Sequence, residues 1–421
     1  MYKIISLLPI LAFVNTAFSQ SLSDSLFETG KAYYRKDDFP HAGRDFMLAA
    51  DAAGNKIKKQ EYYFYSAAAF AGAKDSAGTL ASLSKAIFEC GFNDTRALDN
   101  EELFGFLYKS ASWKKLIKGI KPTYHLSPDK ARFYDTDVRH FWESFDMVQK
   151  DTAHAESIYR HHYIDNGTLA LQDYFVNKMG GNMYSFAYTH GLKNKFYKSI
   201  RSNTLKALDY SAYYRKSYRR LKEIFPEALF PDLYFVIGKL NSAGTSGSNG
   251  LILAIDQICQ SPSTDVSELE SWERHFLSPF SNLPATVAHE LIHFQQSGMA
   301  ADTTLLKAAI LEGMADFIGE LISGHTANER LQQFAKGREK VIWEKFRAEM
   351  LLDRAAHWVG NGDEDRPEWP SDLGYWVGYE ICKSYYQNAV DKKKAIREML
   401  HIKDYRQFLA DSKFEARALK W

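Results

Sequence analysis

One helical segment restricts the folds open to this chain more than any other feature. Residues 303–323 have the pattern of a helix that ends at Gly324, and they are apolar nearly all round, as in a helix buried on every side. Yet Glu312, Asp316 and Glu320 form an acidic stripe at four-residue spacing. Because a buried row of carboxylates is costly unless positive charge neutralises it, we expect cationic side chains or a metal ion to lie against this helix.

The segment before it supplies suitable side chains. Residues 284–298 begin with a proline and end with a glycine, which predicts a helix between them. On this helix His289 and His293 are one turn apart and point the same way, and two imidazoles at that spacing can chelate one Zn²⁺. Glu290 is offset around the helix, so it flanks the metal, where a general base would lie. The apolar neighbours argue against two surface histidines on an ordinary helix.

The acidic helix offers the third ligand. We predict that Glu312 binds the metal, because it opens the acidic stripe of the helix that follows the two histidines. Asp316, one turn further on, is placed to accept the outer N–H of a zinc-bound histidine, which fixes the ring and its tautomer. The sequence therefore predicts one Zn²⁺ per chain, held by His289, His293 and Glu312.

This metal motif resembles that of the gluzincin clan of zinc metallopeptidases. More closely, residues 130–420 resemble bacterial predicted zinc-dependent proteases related to a gliding-motility lipoprotein, through the motif and through residues 137–142, 233–255 and 373–379. The resemblance implies a gluzincin-like metallopeptidase domain that acts on a peptide or protein. It also implies that zinc activates a water molecule and that Glu290 is the catalytic general base.

The same resemblance assigns roles outside the metal motif. Tyr375 and Tyr379, one turn apart, are the candidates for a catalytic oxyanion donor, and each would serve equally well as a core aromatic. Gluzincins bind an extended peptide along the edge strand beside the metal helix, and we expect residues 251–255 to be that edge. The Gly/Ser-rich residues 241–250 are either a loop that closes over substrate or a plain hairpin connection. The candidate substrate-binding residues are Leu251, Leu253 and Ile255.

Residues 20–120 predict a separate helical domain. Small residues and larger ones at three-to-four spacing recur after about 36 residues, a pattern that resembles tetratricopeptide repeats. This domain is either a partner-binding arm or a helical support. Glycine and proline near residues 119–128 predict a boundary, after which residues 130–421 form the metallopeptidase domain. Strand-like runs at 233–237 and 251–255 predict a small sheet, so the fold class is mainly α with a small β-sheet (α+β).

The first residues predict export. Lys3, an apolar run at residues 4–14 and small residues after it are typical of a signal peptide, here residues 1–19, and indicate a periplasmic or secreted protein. No later apolar run predicts a membrane span in the mature chain. The net charge of +1, from 53 basic and 52 acidic residues, predicts no nucleic-acid partner. The three cysteines are too scattered to predict a disulfide framework.

These patterns leave more than one function open. The first is an exported zinc peptidase. The second is a periplasmic or surface binding protein with a structural zinc, in which the helical repeats bind a protein partner. A third is a metal-dependent hydrolase of another amide or ester. An open coordination position would favour an enzyme, because structural zinc sites are usually closed by four protein ligands.

Overall fold

The structure, a computed structural model, describes residues 22–418. The predicted signal peptide, residues 1–19, lies outside the described residues. The chain separates into two compact units, residues 1–120 and residues 121–421. Helices dominate the described part of both units, and the second also carries short strands. The predicted fold class, mainly α with a small β-sheet, is confirmed.

Helices of the first unit pack against one another in sequence order. Within residues 22–120 the α-helices are α1 (Leu22–Tyr34), α2 (Phe39–Ala52), α3 (Lys56–Gly72), α4 (Ser76–Ser84), α5 (Thr95–Asn100) and α6 (Ala111–Lys118). Polar caps begin several of them: the side chains of Asp38, Asn55 and Asp75 each accept a backbone N–H of the helix that follows. Small residues such as Ala42 and Ala69 are fully buried where the helices meet.

Helices rich in tyrosine and phenylalanine begin the second unit. They are α7 (Thr136–Val148), α8 (Ala155–Tyr159), α9 (Leu169–Asn177), α10 (Met183–Leu192), α11 (Asn194–Thr204) and α12 (Ser211–Ile224). Tyr163 and Tyr214 are fully buried, and their hydroxyls donate to the backbone carbonyls of Ile237 and Ala207, each at 2.7 Å. Because a bonded hydroxyl avoids the cost of burying an unpaired polar group, such tyrosines serve as core residues.

The strands of the second unit are short. They are β1 (Tyr124–His125), β2 (Phe133–Tyr134), β3 (Phe230–Pro231), β4 (Leu233–Val236), β5 (Gly244–Gly247), β6 (Gly250–Ala254), β7 (Ile258–Gln260) and β8 (Ser278–Pro279). The largest sheet has the order β2-β4-β6-β5. Strand β4 runs parallel to β2 and β6, whereas β5 runs antiparallel to β6. The remaining strands pair as β1 with β3 and β7 with β8.

The prediction that residues 251–255 form the edge strand is wrong. Strand β6 pairs with β4 on one side and with β5 on the other, so it lies inside the sheet. Its side chains are buried on both faces, which is why the run is continuously apolar. The edges are β2 and β5, and β5 is part of the Gly/Ser-rich segment for which the sequence predicts either a closing loop or a hairpin connection. Leu251, Leu253 and Ile255 are fully buried and offer a peptide no free edge.

Three of the remaining helices build the candidate site. After the sheet come α13 (Ser271–Phe276), α14 (Leu283–Gln295), α15 (Leu305–Ser323), α16 (Glu329–Ala335), α17 (Glu339–Glu349), α18 (Leu373–Asn388), α19 (Lys392–Met399), α20 (Tyr405–Ser412) and α21 (Phe414–Ala418). Helix α15 packs between α14 and α18. A Cβ on Gly313 would lie 2.0 Å from the backbone nitrogen of Tyr379, and one on Gly319 would lie 3.2 Å from that of His289. Glycine at these two positions therefore allows α15 to pack closely against α18 and against α14.

No helix among residues 22–418 is long and apolar enough to cross a membrane.

Candidate metal centre

Helices α14 and α15 bring the three predicted metal ligands together. His289 and His293 lie on α14 and Glu312 lies on α15. The two Nε2 atoms are 3.0 Å apart, and the Oε2 atom of Glu312 lies 3.1 Å from Nε2 of His293 and 3.5 Å from Nε2 of His289. Among the described residues, this is the one group of three or more such side chains close enough to hold a metal ion.

Two hydrogen bonds orient the imidazoles. Nδ1 of His289 is 2.8 Å from Oδ1 of Asp316, and Nδ1 of His293 is 2.7 Å from Oε1 of Gln296. Gln296 uses its amide N–H for the carbonyl of Leu311 at 2.8 Å, so its oxygen faces the ring. Each Nδ1 therefore carries a proton and donates it. In a neutral ring this leaves the lone pair on Nε2, directed at the other ring and at Glu312.

The donor set fits Zn²⁺. Zinc accepts two histidines and a glutamate as ligands, and with bonds of about 2.0–2.1 Å a tetrahedral site holds its ligand atoms about 3.3 Å apart. The three observed separations, 3.0, 3.1 and 3.5 Å, bracket that value. Three acceptor atoms this close repel one another unless a cation or shared protons lie between them. The geometry is therefore compatible with three ligands around a small cation.

The pKa values of the three residues are shifted because their charged groups lie so close together. Burial lowers the pKa of His289, but the carboxylates of Asp316 and Glu312 outweigh burial and set it well above its usual range. The pKa of His293 is raised by Glu312 against the same opposing effect of burial. Burial raises the pKa of Glu312, yet the two histidines hold it well below its usual range. A metal ion and a proton compete for the same imidazole nitrogens, so metal binding at this site is expected to release protons.

Glu290 lies outside the ligand cluster, as its place on the helix predicts. A Cβ on Gly244 of β5 would lie 3.1 Å from its carboxyl carbon, so the carboxylate lies close to the edge strand. Glu290 also lines the cleft on which His289 opens. The missing side chain at Gly244 is what allows a carboxylate to fit between the strand and α14.

The two predicted tyrosines are in different places. Tyr375 lines the cleft, and its ring stacks on that of His289 at 6.1 Å between centroids. Burial and then the charge of Glu312 raise the pKa of Tyr375 well above its usual range. Tyr379 does not turn toward the metal ligands. Its hydroxyl donates to Oε2 of Glu320 at 2.6 Å, which also gives the third carboxylate of the acidic stripe a partner.

Sequence reasoning missed two supporting residues. Gln296 holds His293, and Asn328 donates from Nδ2 to both carboxylate oxygens of Asp316, at 3.0 and 2.9 Å. Asp316 itself is almost fully buried. Gln296 lies three residues after His293, so helical spacing could have identified it. Asn328 lies in the connection between α15 and α16, and no periodic pattern places such a residue.

A cleft of about 1090 Å³ extends from His289 and Glu290. Residues 240–243, which lead into the edge strand β5, form part of its wall. Trp272, Arg330 and Tyr375 line other parts of it. This volume is at the upper end of the range for binding pockets of small ligands, so the cleft has room for a short peptide.

Fold and site together define an α+β protein with a His-His-Glu cluster, buried at His289 and partly buried at His293 and Glu312, at the side of a cleft. Residues 130–416 match the family model described as gliding motility protein GldB, and the chain belongs to that family. The match spans every candidate site residue. The curated proteins and the solved structures compared with the chain contain no match.

Proposed function

We propose that this protein is an exported zinc-dependent hydrolase of peptide bonds. The observation that carries the proposal is the convergence of His289, His293 and Glu312 on one point, with Glu290 beside them in an open cleft. When bound, Zn²⁺ supplies a Lewis acid that activates water and polarises a carbonyl group. The predicted signal peptide, residues 1–19, supports the assignment to an exported protein.

Each residue around the cluster has a distinct task in this proposal. Glu290 takes a proton from the attacking water and passes it to the leaving amine, which requires a carboxylate near the ligands but not bound among them. Asp316 and Gln296 keep the two imidazoles in the tautomer that offers Nε2. Tyr375, whose ring stacks on that of His289, is the proposed donor to the developing oxyanion.

The edge strand β5 is the proposed binding site for the backbone of the substrate. Within the described residues β5 pairs with β6 only, so its other side is free of strand partners. An extended peptide that pairs there would run beside Glu290, which approaches Gly244. Because β5 is rich in glycine and serine, main-chain hydrogen bonds rather than side-chain pockets would hold the peptide at this point.

Family membership favours a second candidate function. A component of gliding motility works with protein partners, and in that role the metal would hold α14 and α15 together while another surface binds the partner. Against a purely structural metal, the described residues supply three ligands rather than four, and the cluster opens on a cleft. The two candidates differ in one measurable property, the turnover of a peptide.

The test is cleavage of a peptide library by the zinc-loaded protein. We expect chelation to abolish cleavage and Glu290→Gln to lower kcat by about 10²–10⁴-fold with zinc still bound. Glu143→Gln, at an exposed acidic residue of α7 outside the cleft, is the matched control and should leave kcat near that of the native protein. Unchanged cleavage in Glu290→Gln would refute the assigned base, and bound zinc without any cleavage would favour the partner-binding candidate.

A separate measurement tests the ligands. Metal analysis of the purified protein should give one zinc per chain, and Glu312→Ala should lose it. Retention of stoichiometric zinc in that variant would exclude Glu312 as the third ligand.

A further inference from the structure

Arg330 stands out in the cleft because of its charge. Among the described residues that line the cleft, it is the one lysine or arginine. It lies on α16, and its side chain is 36% exposed. Glu290, Glu329 and Asp372 line the same cleft, so Arg330 lies among carboxylates, and Asp372 is its ion-pair partner.

Ser371 and Asp372 hold the guanidinium of Arg330 in place. Nη2 of Arg330 donates to Oδ2 of Asp372 at 3.2 Å, and Nη1 donates to the carbonyl of Ser371 at 3.3 Å. Asp372 is held by the N–H of Gly360, which donates to its other oxygen at 2.7 Å, and its φ of 66° lies in the left-handed region. A non-glycine residue keeps such a conformation only where its surroundings enforce it. These two bonds use two of the five N–H donors that a guanidinium carries.

His275 also lines the cleft near this arginine, and Asp365 links it to Ser371. Its Nδ1 is 2.8 Å from Oδ2 of Asp365, whose other oxygen accepts the N–H of Ser371 at 2.7 Å. The Nε2 atom of His275 is buried and has no hydrogen-bond partner among the described residues. Because that atom is buried, a ligand in the cleft cannot reach it, and His275 serves here to hold Asp365 in place.

Burial and then Arg330 lower the pKa of His275, so this ring adds little positive charge to the wall near pH 7. The N–H groups of Arg330 that Asp372 and Ser371 do not use are therefore the donors that this part of the cleft offers to a ligand.

A peptide C-terminus has the complementary group, because its carboxylate accepts from a guanidinium in a charge-assisted bond. The carboxylate of Asp372, the ion-pair partner of Arg330, also accepts the N–H of Gly360, which weakens its neutralisation of the cation. A neutral carbonyl would use the donors of Arg330 but not its charge.

We infer that Arg330 forms a subsite for the C-terminal residue of a peptide and binds its free carboxylate. This inference rests on the proposed function, because it places the C-terminus in the cleft of the metal centre. The substrate class is then peptides with a free C-terminus that are cleaved near that end. Ser371 and Asp372 are positioning residues, since they hold the guanidinium of Arg330.

The test measures binding without turnover. Zinc-loaded Glu290→Gln protein is titrated with N-terminally labelled random pentapeptide pools, and fluorescence anisotropy reports Kd. Three pools are compared: one with a free C-terminal carboxylate, one amidated, and one amidated but with a glutamate side chain in place of the terminal acid. We expect the free-acid pool to bind about 10–100-fold more tightly than either amidated pool. Equal binding of free-acid and amidated pools would overturn the inference, and tight binding of the glutamate pool would overturn the assignment to a C-terminus.

Variants of Arg330 test whether this residue causes the preference for the free-acid pool. Arg330→Gln, made in the Glu290→Gln protein, should weaken binding of the free-acid pool to the level of the amidated pool. Arg330→Lys keeps the partner charge of Asp372 and should retain part of the selectivity, because it loses the fork of donors. Arg338→Gln, at a surface arginine that donates to the carbonyl of Phe334, is the matched control and should bind as the parent does. A thermal melt checks that each variant is folded, and selectivity that survives in folded Arg330→Gln would refute the subsite.

The failure of this inference and the failure of the proposed function give different results. Selective binding of the free-acid pool with no cleavage by the native protein would retain the subsite and reject the peptidase. Cleavage that is equally fast for free-acid and amidated peptides would retain the peptidase and reject the subsite.

Discussion

Gln296 accepts the Nδ1–H hydrogen bond of His293 at 2.7 Å, while its own amide N–H donates to the carbonyl of Leu311. The second bond fixes the amide so that only its oxygen faces the ring. One glutamine thus sets the tautomer of a metal-ligand candidate and ties α14 to α15 at the same point. Neither task needs a charge, which distinguishes Gln296 from Asp316 at the other histidine.

The first prediction concerns this glutamine. In Gln296→Leu the ring of His293 loses its acceptor, so we expect the affinity for zinc to fall by about 10–100-fold while the fold persists. Competition with a chelator of known affinity measures the change. The neighbouring Gln295 bonds the backbone of Leu229 instead, so Gln295→Leu should lower stability without a comparable loss of zinc affinity. Equal zinc affinities in the two variants would contradict the role of Gln296.

Much of this site can be predicted from the sequence because helical spacing determines it. The observed α14 and α15 occur where the apolar patterns place them, and Gly324 ends α15 with a φ of 92°. Residues one turn apart, such as His289 and His293, must share a face whatever the rest of the fold does. The relation of Glu312 to the histidines needs only that the two helices pack side by side.

The sequence does not predict the features that depend on tertiary pairing. Strand β5 is poor in residues that favour strands, and its pairing with β6 places it at the edge. Tyr375 and Tyr379 have equivalent sequence patterns, yet the rotation of α18 brings only the first to His289. Arg330 and Asp372 meet across a distance in sequence that carries no period.

The second prediction is that zinc stabilises the second unit. A metal ion that binds only the folded chain raises the free energy of unfolding by about 4 kcal/mol when its concentration is a thousand times Kd. We therefore expect a chelator to lower the midpoint of thermal unfolding. Glu312→Ala should melt at the same temperature with and without chelator. A chelator effect of equal size in both proteins would place the responsible metal elsewhere.

The third prediction tests the crossing of α15 and α18. A Cβ on Gly378 would lie 1.8 Å from the carbonyl oxygen of Ala309, and backbone cannot move aside as a side chain can. Gly378→Ala should therefore cost more than about 3 kcal/mol of stability or prevent folding. The control is Gly191→Ala on α10, where a Cβ meets nothing within 4 Å. That change should raise the free energy of unfolding by about 0.5–1 kcal/mol, since it only restricts the unfolded chain. A mild effect at Gly378 would mean that the two helices lie further apart.

The fourth prediction concerns a buried carboxyl group behind the cleft wall. Asp256 is fully buried and accepts the N–H groups of Gly238 and Leu240, at 2.8 and 2.9 Å. Leu240 lines the cleft and has a φ of 61°, so Asp256 holds a left-handed turn in that wall. Burial raises the pKa of Asp256 to about 6, against the opposing effect of these hydrogen bonds.

The raised pKa fixes the direction of the pH effect. Below the unfolded pKa of 3.8 the carboxyl group is protonated in both states, and between 3.8 and about 6 the unfolded chain loses the proton first. Raising the pH through that window therefore favours unfolding. Asp256→Asn cannot ionise, so the native protein should lose about 2–3 kcal/mol of stability relative to this variant between pH 4 and pH 7. Urea unfolding of both proteins at a series of pH values measures the difference, and a difference that does not change with pH would show that Asp256 ionises in the folded chain as readily as in water.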